Sequence, residues 1–241
     1  MELDALIFAA HPDDAEIGVG GTIKKLSADG LQTGVIDFTK GEMGTRGTES
    51  ERELEANVST KILGLTVREN FGLPDSHLKV NEKAINLAVE IIRKYKPTLI
   101  FAPFSNDRHP DHIAVSNIIK QAYFFSGVNK FSTGSEGNGF SAFRPDRLLY
   151  YFQAYTFEPN IIIDISETFA EKMEAIKAFK SQFYNPESNE PETFISKPDF
   201  LEFIEARAKF FGAKIGTKYG EPFYTEEMIK YDIINYLRNK F

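Results

Sequence analysis

Three of the four histidines in the chain fall in two short segments, His11-Pro12-Asp13-Asp14 and His109-Pro110-Asp111-His112. Each combines imidazole with carboxylate, the ligand set of a catalytic divalent metal that keeps one position open for water. In the first segment, His11 and Asp14 are three residues apart. At a strand-to-helix turn, that spacing can put both side chains on one side. Pro12 fixes its own φ and gives up an amide proton that a helix start does not need. Asp13 lies between them and can point elsewhere, as a base within reach of a bound water without being a ligand. The second segment repeats the spacing with His109 and His112. One of these can ligate; the other can donate a proton or stabilise an oxyanion, with Asp111 holding that imidazole in orientation. Lewis acid, bound water, general base and general acid are the parts of metal-assisted amide hydrolysis. His77, the remaining histidine, has no such partner and reads as a solvated loop residue.

A single His-Pro-Asp turn is ordinary, because Pro and Asp favour turns. Two of them, each following an apolar run, are not. Leu3 to Ala10 and Thr98 to Pro103 are near-continuous apolar stretches, the mark of strands covered on both faces. Both segments then sit at the carboxyl ends of buried strands, where open α/β sheets bind their ligands. Gly34 to Thr39, Leu148 to Phe152 and Ile161 to Ile165 read as further strands, and Phe71 to Pro74 as a short extended piece. Helices are expected over 15–27, from a Thr48–Glu51 capping box to Leu63, and over 81–95, 111–125, 168–183, 199–211 and 225–237. Gly18, Gly20 and Gly21 weaken the first helix and predict close approach of a neighbouring backbone or a ligand. Their spacing does not match the dinucleotide fingerprint G-x-G-x-x-G. The alternation predicts an α/β fold: a doubly wound, mostly parallel, Rossmann-like sheet with helices on both faces. With no linker or repeat, a single domain over residues 1–241 is expected. Val128 to Pro145, rich in Gly, Ser and Asn, reads as a long loop suited to setting substrate choice.

Composition narrows the function. At 42% hydrophobic and 26% charged residues, the chain is an ordinary globular protein. It has no cysteine, which excludes disulfide frameworks and Cys-type zinc sites and fits a reducing cytoplasm. A net charge of −7 without a basic run argues against nucleic acid as a partner. No apolar stretch reaches the roughly 20 residues that span a bilayer. The opening Met1-Glu2-Leu3-Asp4 lacks the basic region of a signal peptide.

The segment AHPDDAE after the first strand, with HPDH far downstream, resembles the zinc-dependent N-acetylglucosaminyl deacetylases of the PIG-L/LmbE-like family. KGEMGTRGT with the helix SERELEA, the LPDS piece, IFAPFSNDRHPDH and the late KYGEPF fall in the same order. Within the family, the chain is most similar to the bacillithiol biosynthesis branch. The resemblance implies that His11, Asp14 and His112 ligate zinc and that Asp13 is the general base. It implies that His109 is the general acid or oxyanion stabiliser, oriented by Asp111, and that Arg52 contacts substrate. Some relatives carry an oxyanion-donating tyrosine just before the second motif, where Asp107 and Arg108 stand here. The implied reaction releases acetate from N-acetylglucosaminyl-malate, a small glycoside. A chito-oligosaccharide, or a non-catalytic sugar- or metal-binding role on the same fold, is the alternative. Malate carries two carboxylates, and Arg46, Arg52 and Arg108 are the basic residues nearest the motifs, suited to bind them. Phe104, Phe140, Phe143, Tyr184 and Tyr219 could wall the sugar, and Glu221 either reaches the site or caps a turn. A His₂Asp set takes zinc, and Fe(II) also favours it. A homo-oligomer, a hexamer, is expected from the family.

Overall fold

The computed structural model describes residues 1–134 and 140–230. Its strands are β1 (Ala5–Ala9), β2 (Thr33–Asp37), β3 (Val67–Asn70), β4 (Leu99–Pro103), β5 (Arg147–Tyr151), β6 (Ile161–Asp164) and β7 (Gly220–Tyr224). The helices are α1 (Asp14–Ala28), α2 (Glu49–Leu63), α3 (Glu82–Tyr95), α4 (Pro110–Ser126), α5 (Phe169–Lys177) and α6 (Pro198–Lys214). All seven strands join one sheet in the order β3-β2-β1-β4-β5-β7-β6. The first five in that order are parallel; β7 runs antiparallel to both β5 and β6. This is the doubly wound α/β sheet expected from the apolar runs.

The central strands are buried on both faces, as their lack of alternation requires. Leu6, Phe8, Ile36 and Ile100 pack against α3 and α4 on one face. Ile7, Val35 and Phe101 pack against Ala15, Val19 and Ile23 of α1 and Ala175 of α5 on the other. The glycines of α1 admit side chains, not a backbone or a ligand: a Cβ on Gly18 would fall 2.2 Å from Tyr151 Cδ2. The Thr48–Glu51 capping box forms as expected. No described helix is long and apolar enough to cross a membrane.

Several elements differ from their expected positions. The edge strand is Val67–Asn70, not the Phe71–Pro74 piece that follows it. The strand β7 was hidden by Gly220 and Pro222; β5 pairs only with Phe223 and Tyr224, so Pro222 lies beyond that ladder. The helix α5 stops at Lys177, and the chain then turns to bury Phe179 and Phe183 against Ile17, Ala56 and Ile204. Residues 225–230 are not helical, and the rest of the expected 225–237 helix lies outside the described residues. The 128–145 loop joins the far end of α4 to the start of β5, so its described residues sit at the amino end of the strands. There, Arg93 ties down the carbonyls of Phe125, Ser126, Val128 and Phe131.

Because Tyr151 occupies the space a side chain would need at Gly18, Gly18→Ala forces the ring or α1 to move. The expected cost is about 1–3 kcal/mol, read as a lower denaturation midpoint at unchanged far-UV circular dichroism.

Candidate active site

The carboxyl ends of β1 and β4 lie side by side where the strand order reverses, which is where an open sheet leaves a crevice. The chain leaves β1 through His11 into α1. The His11 amide donates to Asp14 Oδ2 at 2.9 Å and closes the turn. Asp13, the N-cap of α1, has φ of 122°, a region that a non-glycine residue rarely adopts. The chain leaves β4 through Asp107 and His109 into α4. His109 is that helix's N-cap, its Nδ1 accepting the Asp111 amide at 3.2 Å, with Pro110 at the first helical position.

These two turns meet around the Asp14 carboxylate. His11 Nδ1 lies 3.3 Å from Asp14 Oδ2, and His112 Nε2 lies 3.2 Å from Asp14 Oδ1. The His109 ring centroid is 4.7 Å from that of His11 and 5.1 Å from that of His112. The outer nitrogen of each Asp14-facing imidazole also meets carboxylate. His11 Nε2 is 3.1 Å from Asp75 Oδ1 and 3.5 Å from Asp111 Oδ2; His112 Nδ1 is 2.8 Å from Asp107 Oδ1. An outer N–H given to a carboxylate leaves the inner lone pair for a metal and fixes the tautomer. His11, Asp14 and His112 therefore fit a divalent cation by the chemistry of their donors. Nitrogens of His11, His109 and His112 also come within 4.8 Å of one another, as do ligand atoms of His11, Asp75 and Asp111.

The electrostatics suit a cation. Burial alone would lower His11, but the hydrogen bonds it donates to Asp111, Asp14 and Asp75 hold it well above its ordinary value. His112, lowered by burial and raised by Asp14 and Asp107, reaches about 9. Burial would raise Asp14; the His112 and His11 charges outweigh it and hold the carboxyl well below the carboxylate range. Asp13 behaves oppositely: burial pushes it up to about 7, against the pull of Arg52. Burial and the neighbouring imidazoles lower His109.

A cavity of about 430 Å³ opens over this cluster, lined by His11, Asp13, Asp14, His109 and His112, by Arg52, and by an apolar wall from residues 194–203. The PIG-L model, a GlcNAc-PI de-N-acetylase, matches residues 6–123. The diacetylchitobiose deacetylase of Thermococcus kodakarensis is 31% identical over 188 residues, 74% of this chain and 69% of its own length. The chain belongs to the PIG-L (LmbE-like) deacetylase family. A solved structure of a conserved protein from Thermus thermophilus has a TM-score of 0.84 at 37% identity, covering 96% of this chain and 98% of that one. The probable N-acetyl-α-D-glucosaminyl L-malate deacetylase 2 of Bacillus anthracis is 26% identical over 195 residues, 76% of this chain and 82% of its own length.

Within this PIG-L site, the Asp111 carboxylate does not orient His109. It accepts the amides of Ser76 (2.7 Å) and Leu78 (3.3 Å) and faces His11, while the Asp111 amide does the orienting. Asp107 sits behind His112 and accepts the His109 and Ala154 amides. Arg52 is buried, with both Nη atoms bonded and Nε left without a partner. It donates to Asp13 Oδ2 (3.2 Å), Gln182 Oε1 (2.7 Å) and Gly41 O (3.0 Å), so it grips the expected base. Arg46 does not line the cavity; its guanidinium faces Glu190 across 3.6 Å. Arg108 does line it, lying over the Phe194 ring at 4.4 Å.

None of the five aromatics expected to wall the sugar lines the cavity. Phe104 packs on Phe157 and Tyr150, Phe143 joins the core and Tyr219 stacks on Phe169, while Phe140 and Tyr184 are exposed. No described residue of the 128–145 loop lines it either. Glu221 neither reaches the site nor caps a turn. It lies buried under α1, accepting the Gly21 and Thr22 amides and the Lys172 ammonium. His77 is exposed, as expected. The residues missed were Asp75, Asp107 and Gln182; Pro74-Asp75 is one of five Pro-Asp pairs in the chain and is not set apart by its type.

Asp107→Ala removes the acceptor that sets the His112 tautomer. A 10- to 100-fold weaker affinity for zinc is expected, on the scale of such carboxylates elsewhere, measured by competition against a chromogenic chelator.

Proposed function

We propose that this chain is a metal-dependent hydrolase that removes the N-acetyl group from an N-acetylglucosaminyl conjugate and releases acetate. The convergence of His11, Asp14 and His112 on one point, with the Asp13 carboxylate beside them and bonded to neither imidazole, supports this reading most directly. His11, Asp14 and His112 would hold the metal. Zinc is the reading from the resemblance, and Fe(II) suits the same donors. When bound, the ion supplies a Lewis acid that polarises the amide carbonyl and acidifies water.

The chain's own groups carry the protons. Asp13, raised toward neutrality by burial, takes the proton of the attacking water as it adds to the carbonyl carbon. Arg52 holds that carboxylate in place through its Nη2. The Nδ1 of His109 accepts a backbone amide, so in neutral imidazole the proton sits on Nε2. That N–H can steady the developing oxyanion, and the proton that Asp13 took from water passes to the nitrogen as the C–N bond breaks. The products are acetate and a free amine.

N-acetylglucosaminyl-malate is the conjugate of the bacillithiol branch, and the name of the Bacillus anthracis relative supports it. The name of the Thermococcus relative supports a diacetylated disaccharide. Both carry the same N-acetyl-glucosamine head, which the His/Asp cluster would process identically.

Chelation is expected to stop acetate release from N-acetylglucosaminyl conjugates and added zinc to restore it; release that ignores the chelator would refute the metal. Asp13→Asn keeps a residue that tolerates positive φ. It is expected to retain bound metal while turnover falls about 10²- to 10⁴-fold. Wild-type turnover in that variant would remove Asp13 as the base.

A further inference from the structure

Phe194, Ile195, Phe200 and Phe203 form one continuous wall of the cavity. Phe194 is 56% exposed and Phe203 41% exposed. The Phe200 ring holds them together, with centroids 5.6 Å from Phe194 and 6.2 Å from Phe203. Large rings left open at the mouth of a cavity mark a surface that something apolar covers. The shelf is continuous with the pocket that holds the reacting groups, so its occupant is the part of the substrate beyond the N-acetylated sugar.

The cations of the cavity point the same way. Arg52 is taken by Asp13, Gln182 and the Gly41 carbonyl, and Arg46 is outside the lining. Among the described lining residues, Arg108 alone is a cation without a carboxylate partner, and its guanidinium carbon lies 4.4 Å from the centre of the Phe194 ring. A dicarboxylate seated here would meet one solvated arginine, an aromatic wall, and the buried carboxylates of Asp13, Asp14, Asp75 and Asp107. Desolvating two anions in that setting is costly, whereas covering Phe194 and Phe203 is favourable.

Resting on the deacetylase reading, we propose that this seat selects an aglycone that offers an apolar face, with Phe194 and Phe203 as the specificity-determining residues. An alkyl or aryl group, or the C–H face of a second sugar ring, fits it; a malate does not.

The test uses the zinc-loaded full chain and compares kcat/KM for acetate release from methyl, octyl and phenyl N-acetylglucosaminides, N,N′-diacetylchitobiose and N-acetylglucosaminyl-malate. The octyl and phenyl compounds are expected to exceed the methyl one by about tenfold or more, mainly through KM, with the malate conjugate at or below methyl. Phe194→Ala and Phe203→Ala are expected to reduce the octyl-to-methyl ratio to within about threefold, with metal content and thermal midpoint confirming folded protein. Chitobiose above methyl, with that advantage lost in the same variants, would place the second sugar on the shelf; chitobiose equal to methyl would reserve it for alkyl and aryl groups. A malate conjugate preferred over octyl and phenyl, or an octyl-to-methyl ratio that survives both variants, overturns the proposal. Acetate release from none of the five compounds would instead overturn the deacetylase reading beneath it.

Discussion

Uncompensated negative charge, buried at the carboxyl ends of β1 and β4, is the constraint on which the site depends. Asp13, Asp14, Asp75, Asp107 and Asp111 are all buried, and Arg52 is the guanidinium that reaches the group. Burying an ion without a partner costs several kcal/mol or forces a proton onto it. The chain meets part of that cost with backbone amides: His11 to Asp14, Met43 to Asp75, His109 and Ala154 to Asp107, Ser76 and Leu78 to Asp111. These bonds fix Asp14, Asp75, Asp107 and Asp111, and Arg52 holds Asp13, before any ligand arrives. The remaining oxygens fall on His11 and His112, which become the place where positive charge is wanted. Protons on the imidazoles or one divalent cation can satisfy it, and the cation does so while freeing the rings to act as neutral ligands.

The sheet order makes this geometry possible. The helix α1 leaves β1 toward one face of the sheet and α4 leaves β4 toward the other. The two His-Pro-Asp turns therefore face each other across the crevice between diverging helices. Gln153 and Ala154, just beyond β5, close the crevice on the third side. The segment that follows α5 brings Gln182 onto Arg52 and then the apolar wall over the opening. Positioning thus comes from strand ends, while the substrate-facing surface comes from late loops.

That division explains what could be read in the sequence. His11, Asp13, Asp14, His109 and His112 were legible because each group sits within one turn and follows a buried strand whose apolar run is unmistakable. Asp75 and Asp107 carry the outer hydrogen bonds of the imidazoles; Asp75 reaches His11 across 64 residues of chain, which no local spacing encodes, whereas Asp107 lies five residues before His112 and its role depends on how that turn folds. The Asp111 carboxylate bonds away from His109 for a physical reason. At a helix start the amide of the third residue seeks the N-cap side chain, so His109 takes that N–H and the carboxylate is turned toward His11 and the Ser76 amide. Arg52 could be placed on its helix from the Thr48 cap, yet its partner Asp13 belongs to another element. The described residues of the 128–145 loop stay clear of the cavity because α4 carries the chain to the amino end of the strands.

The strain at Asp13 accounts for the charges buried beneath α1. A positive φ on a residue other than glycine costs on the order of 1–3 kcal/mol and persists only where its surroundings over-determine it. Here the first turns of α1 are held from every side. The Asp13 carbonyl accepts the Ile17 amide, Gln153 donates to the Asp14 carbonyl, and Lys172 and Arg207 both donate to the Ile17 carbonyl. Glu221 inserts against the Gly21 and Thr22 amides and pairs with Lys172. Arg207 also holds the Gln153 carbonyl, next to the Ala154 amide that fixes Asp107. Two buried cations and one buried anion contribute little to stability compared with an apolar filling of the same space. What they do provide is direction: each bonds a particular carbonyl or amide of α1, and apolar packing has no such preference. The helix start that carries Asp13 and Asp14 cannot relax toward an ordinary turn without breaking them. The KYGEPF segment therefore lies outside the cavity and is still bound to its geometry, because Glu221 supports from below the helix whose strained N-cap lines that cavity.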